Sequence, residues 1–290
     1  MLDGLKKIIS ISLLCTCALS VSAQRSEYGL FVAATNYFGD LNPNYSFKQS
    51  RAGGGLFYRY NLNNRMALRA GISHAWIAAS DAKNSNNQPY LKARNLNFQS
   101  NITEFSGVYE INFFDWNFGD RNTVTTIEKK KWTPYIFAGI SFYHFKSYTF
   151  YNDEKYFLEP VGTEGQKNAN AIDEQTKNGY SPFAIAIPFG GGLKFSLNRN
   201  WTLQLEVSSR KTFNDNLDDV SNNYVDPSQL NYYVDGKNVS EALSDRSPEL
   251  GIIPIGIPGK QRGTSKDKDR FNFYSIGITY TFNTIKCPTF

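Results

Sequence analysis

The sequence predicts an all-β protein, an eight-stranded antiparallel transmembrane β-barrel with four long outer loops and short periplasmic turns. Three features predict it: an export leader, eight segments of roughly ten residues that alternate apolar with small or polar residues, and connections that alternate between short and long. Aromatic residues make up 15% of the chain against only two Met and two His. That balance suits the outward face and girdles of a membrane barrel better than a soluble domain.

The leader comes first. Lys6 and Lys7 form a basic start, Ile8 to Val21 an apolar stretch, and Val21-Ser22-Ala23 offers the small residues at which such leaders are cut. The stretch is too short for a membrane-crossing helix. Residues 1–23 are therefore expected to be removed, leaving residues 24–290 as one barrel domain. Cys15 and Cys17 lack the small residues that a lipidation signal places before its cysteine, and both should leave with the leader. One thiol, Cys287, then remains, so no internal disulfide is expected. A formal charge of +5, spread along the chain, gives no footprint for nucleic acid.

The strands follow in order. Tyr28, Leu30, Val32 and Ala34 share one face of the first, and Leu56, Tyr58 and Tyr60 one face of the second. The third carries Leu68, Ala70 and Ile72; the fourth Phe105, Tyr109, Ile111 and Phe113. The fifth carries Ile136, Ala138, Ile140 and Phe142. The sixth, Phe183 to Leu197, is interrupted by Pro188 and by Gly190 to Gly192, which predicts a bulge or tight bend. The seventh carries Leu203, Leu205 and Val207, and the eighth Tyr274, Ile276, Ile278, Tyr280 and Phe282. That last strand has the polar-Gly-aromatic pattern of a barrel-assembly signal.

Connections after strands two and six are only a few residues long, Asn61 to Arg65 and Asn198 to Asn200. The one after strand four, Phe114 to Lys131, is longer, and those after the odd strands are all long. Short turns on one side and long loops on the other place both termini in the periplasm. Trp116, Trp132 and Trp201 fall at the short-turn end, where an aromatic girdle belongs. A soluble lipocalin-like barrel shares the alternation and stands as the alternative.

On the faces opposite the lipid lie Arg59, Arg69, Lys194 and Arg210 with Glu104, Glu110 and Glu206. An eight-stranded barrel is just wide enough for side chains to fill, so these charges are expected to pair into a plug. A selectivity ring would need a wider pore. His74 and His144 are the only histidines; Ser73 and Ser80 flank the first, but no nucleophile motif accompanies them, and no catalytic, cofactor or metal residue is assigned. The stretch Asn214 to Asp219 with Asp226 is acidic enough for calcium, although Asx turns explain it equally well. Gly162 to Gln166 lacks the Lys-Ser/Thr of a phosphate loop. Within the long turn, Trp116, Arg121, Lys129, Lys130 and Lys131 offer a docking surface, joined by the tail around Cys287 and Phe290. Anchoring of the tryptophans and lysines at lipid headgroups is the simpler alternative.

Several segments together resemble one family. They are Asn36-Tyr37-Phe38-Gly39-Asp40-Leu41, Pro160 to Gln166, Ile187-Pro188-Phe189-Gly190, Leu217 to Ser221, Tyr224-Val225-Asp226, Gln261-Arg262-Gly263 and Lys266 to Asp269. The set is similar to the PorG-type outer-membrane barrel of the type IX secretion system of Bacteroidota. The resemblance implies a non-catalytic accessory subunit of a protein-export machine, linked in many members to gliding motility. It also implies association with the periplasmic ring of a PorK or GldK lipoprotein and its PorN or GldN partner, and no cofactor. A stand-alone barrel of porin or adhesion type is the other function considered. An acyl-modifying barrel enzyme is a third reading, for which the sequence offers no triad.

Overall fold

Side chains alternate across a strand, so one parity of each segment meets the barrel interior and the other the surroundings. In the computed structural model, which describes residues 26–43, 46–84, 88–116, 131–166, 179–198, 200–264 and 268–282, that alternation closes a cylinder. Its walls are β1 (Ser26–Phe38), β2 (Arg51–Asn61), β3 (Met66–Ser80), β4 (Asn97–Asn112), β5 (Trp132–Tyr151), β7 (Phe183–Ser196), β8 (Trp201–Thr212) and β11 (Arg270–Thr281). Each pairs antiparallel with its neighbours, β1 with β11 joins the ends of the chain, and β4 with β5 completes the ring. A ninth strand, β6 (Glu154–Phe157), only folds back on β5 outside the closed wall, and β9 (Tyr233–Val234) pairs with β10 (Lys237–Asn238) as a small hairpin in the last long loop.

Apolar residues point away from this wall. Leu30 is 52% exposed and Phe142 60% exposed, and Leu56, Ile72, Phe105, Ile140, Val207 and Ile276 are exposed with them. A continuous belt of this kind is far larger than a soluble monomer leaves in water. It is the face of a membrane-spanning barrel, which disposes of the lipocalin-like alternative. The belt ends in rings at the short-turn end. There Trp132 meets Phe114 at 5.4 Å, Trp201 meets Tyr280 at 4.9 Å, and Tyr28 meets Phe282 at 5.5 Å between ring centroids.

Three sequence expectations need correction. The sixth strand of the wall, β7, has no bulge: its register on β5 is the same on both sides of Pro188, from Ala138 opposite Phe189 to Ser141 opposite Ala186. Proline simply removes a donor from an otherwise unbroken ladder. Gly192 is there for room instead, since a Cβ on it would lie 2.9 Å from the Tyr135 ring inside the barrel. Trp116 is not part of the girdle but only 5% exposed. Its backbone N–H donates to the Asn64 carbonyl at 2.8 Å, beside an Arg65–Asp115 ion pair, which folds it against the β2–β3 turn. Lastly, β3, β4 and β5 run for 15, 16 and 20 residues, against the roughly 9–11 a membrane requires. The wall therefore rises past the belt at the long-loop end and carries folded loops. The leader (1–23), Arg121, Lys129, Lys130, Cys287 and Phe290 lie outside the described residues.

Inside the upper barrel, Tyr37, Phe98, Ile102, Phe145, Phe271 and Phe273 form an apolar core. The loops contribute Leu41, Leu158, Val161, Leu217, Val220 and Leu243 to it, so they fold into the mouth and do not stand away from it.

Candidate functional site: the charged lumen and the loop cap

The lower lumen is built by inward residues of seven strands. Arg59 of β2 pairs with Glu27 of β1 at 2.7 Å and with Glu110 of β4 at 2.8 Å. Glu110 also takes Arg69 of β3 at 2.9 Å and Lys194 of β7 at 2.8 Å. Arg69 reaches on to Glu206 of β8 at 2.6 Å, which further accepts the Tyr135 hydroxyl at 2.6 Å. Asn61 donates to Glu27, Arg59 to Gln204, and Lys194 to Asn112. One layer higher, Arg210 pairs with Glu104 at 3.1 Å and lies 3.9 Å over the Phe273 ring. The geometry thus joins all seven sequence-selected charges to partners of opposite sign, in two groups. It adds Glu27, Tyr135 and Gln204, which are absent from the sequence-selected set. Parity gave a signal for them: each lies one residue from an outward apolar side chain.

Ser73 and His74 do not meet. The Ser73 hydroxyl points inward and donates to Glu104 at 3.1 Å. His74 points outward, its Nδ1 3.0 Å from the Thr103 hydroxyl and its ring against Trp76. They stand on opposite faces of one wall, so no nucleophile–base pair forms there. His144 is also outward, packed on Phe183.

At the other end, an ion pair and a set of charged hydrogen bonds lock four loops into a cap. Glu164 of the third long loop accepts the Ser221 N–H and hydroxyl, the Asn222 N–H and Arg262 Nη1, all within 3.2 Å. Arg262 also donates to the Asp219 and Ser244 carbonyls. Arg94 makes a two-pronged bond to Asp81 at 2.8 Å and reaches the Asp40 and Arg262 carbonyls. The acidic stretch shows turn chemistry. Asn214 accepts from Asn216 N–H, Asp218 from Val220 N–H and Asp226 from Ser228 N–H. Among the described residues no group of three or more His, Cys, Asp or Glu is placed to hold a metal ion. Gly162, with φ +66°, merely ends the short helix Leu158–Val161.

Deepest in the cap, the Tyr37 hydroxyl contacts Asp218 at 2.5 Å and Asp269 at 2.6 Å. A hydroxyl has a single proton to donate, so this arrangement is satisfied when the two carboxylates hold an extra one. Burial pushes both acids above the usual carboxylate range, and the charge of Asp269 adds to this at Asp218. Burial also raises Asp215 to about 7, and Asp219 to about 6 against the opposing pull of Arg262. Folded-state values above the unfolded value of about 4 mean that the closed cap binds more protons than the open one. Its stability is therefore greatest at low pH and is lost as pH rises from about 4 through about 8, the value to which Asp269 is raised. Amide exchange over Leu217 to Ser221, corrected for intrinsic rate, should be slower at pH 5 than at pH 8. Asp218→Asn should weaken that dependence, because the amide still accepts from Val220 and can donate to Tyr37. Equal protection at both pH values would refute this account.

Fold and site together define a closed eight-stranded β-barrel of outer-membrane type, with charges in its lumen and a folded cap. Residues 6–234 match the family described as a domain of unknown function, DUF6089, and the chain belongs to it. Comparison with curated proteins gives no match. Among solved structures, the N-terminal β-barrel domain of Pseudomonas aeruginosa OprF is 9% identical, with 88% of this chain and 96% of that one covered and a TM-score of 0.35. Neisserial surface protein A is 8% identical, covering 89% and 97%, at 0.40. The Escherichia coli outer membrane protein W is 11% identical, covering 89% and 99%, at 0.33. Such scores add nothing to the strand pairings described above.

Proposed function

We propose that this protein is a non-catalytic outer-membrane barrel that acts as a membrane anchor, and that its machine is the type IX secretion system. The observation that carries the anchor reading is the filled lumen. Arg59, Glu110, Arg69, Lys194 and Glu206 bridge β2, β3, β4, β7 and β8 across the bore, and the apolar core with its loops lies above them. Paired side chains that span the bore support a plugged barrel over the water-filled path a porin needs.

The secretion assignment rests on the PorG-type resemblance. The segments that carry it are scattered in sequence yet share one cap: Tyr37 with Asp218 and Asp269, Asp40 with Thr264, and Glu164 with Ser221 and Arg262. With the short-turn end in the periplasm, the connection carrying Arg121 and Lys129 to Lys131 would meet the PorK/PorN or GldK/GldN ring. At the ends of that connection Lys131 is exposed and Trp116 is buried.

Two measurements test this reading. Protein reconstituted in planar bilayers should carry no steady current; stable pores would make it a channel. Mild detergent extraction of native membranes should recover the ring lipoprotein and its partner with the barrel. Recovery of the barrel alone would remove the secretion assignment and favour the stand-alone alternative.

A further inference from the structure

We propose that Lys211 and Arg270, on the outward face at the long-loop margin of the belt, form a binding site for the phosphate of a lipid headgroup. The two are direct partners across the β8–β11 ladder. Opposed like charges on one face of an antiparallel pair destabilise it unless an anion lies between them. The protein supplies none. Neither side chain makes an ion pair or side-chain hydrogen bond among the described residues, and the flanking outward positions are Ile187, Ser209, Asn272 and Phe38. Other outward cations near this rim are partnered, as with Lys155, whose ammonium lies 3.6 Å over the Tyr148 ring.

Depth identifies the missing anion. Further towards the membrane on the same strands, beyond Ser209, Asn272 and Tyr274, are Val207, 54% exposed, and Ile276, 49% exposed. Phe47, 56% exposed, comes down from the first long loop onto Tyr274 and Phe38, with ring centroids 5.6 and 6.0 Å apart. Cations at the edge of such a belt sit at headgroup level, where phosphate is the abundant anion. A guanidinium beside an ammonium suits a phosphate with two free oxygens.

The inference rests on the membrane-spanning reading, so the test reports the two separately. Wild type and a Lys211→Gln/Arg270→Gln variant are inserted into nanodiscs of phosphatidylcholine containing a small fraction of phosphatidic acid. Insertion reads the barrel; native mass spectrometry of lipid retained after detergent transfer reads the site. Both side chains are outward and unpaired, so the variant should insert normally. It should retain on the order of tenfold less phosphatidic acid, and the charge-preserving Lys211→Arg/Arg270→Lys variant should restore retention. Equal retention by wild type and the Gln variant would overturn the site. Displacement of the lipid by millimolar inorganic phosphate would also overturn it, as the mark of a soluble-anion site. Failure of every form to insert would overturn the membrane reading and the site with it.

Discussion

Replacing Glu110 by Ala should cost the barrel about 3–5 kcal/mol, the range seen when one partner of a buried ion network is removed. Glu110 is fully buried and holds three cations at once: Arg59, Arg69 and Lys194. They are not equally exposed to its loss. Arg59 keeps Glu27, and Arg69 keeps Glu206. Lys194 keeps only the Asn112 side-chain oxygen, at 3.0 Å, and the Tyr135 ring, at 4.5 Å. The penalty should therefore sit largely on Lys194. Adding Lys194→Met to the Glu110→Ala variant should recover part of the lost stability, because it removes the stranded charge and leaves an apolar chain of similar reach. Denaturant unfolding of the detergent-refolded barrel measures both variants. A Glu110→Ala cost below about 1 kcal/mol would mean that water reaches the lumen and screens it, as at an exposed pair.

That network was legible in the sequence because a barrel strand has only two faces. Once Leu68, Ala70 and Ile72 are assigned outward, Arg69 has nowhere else to point. The same logic would have delivered Glu27, had the first strand been extended one residue before Tyr28. Pro188 and the glycines after it misled for a related reason. They are breakers in isolation, but here the inward positions need space for Tyr135, and the missing N–H of Pro188 interrupts a ladder that continues on both sides. Trp116 was read from composition and position alone, whereas the turn that buries it depends on Asn64 and Arg65 of another connection. The cap was illegible as chemistry. Glu164 and Arg262 lie 98 positions apart in segments with no periodicity. Nothing local in either segment says that they touch.

Glu164 is where that long-range chemistry should show its largest effect. It is buried, and the last loop supplies all its donors from outside its own loop: the Ser221 N–H and hydroxyl, the Asn222 N–H and side chain, and Arg262. Glu164→Ala would leave a buried guanidinium without its carboxylate and two backbone N–H groups without acceptors. Arg262 would retain the Asp219 and Ser244 carbonyls, which satisfy its geometry but not its charge. Opening of the cap should then become easier by about 3 kcal/mol or more, raising amide exchange over Ser221 to Gly263 by on the order of a hundredfold. Exchange in the β3, β4 and β5 ladders within the belt should not change, because their hydrogen bonds and the luminal pairs are untouched. Glu164→Gln, which keeps an acceptor for the backbone, should fall between wild type and Glu164→Ala. If exchange instead rises equally in the cap and in the belt strands, the cap and barrel form one cooperative unit, and Glu164 is not a local lock between the loops.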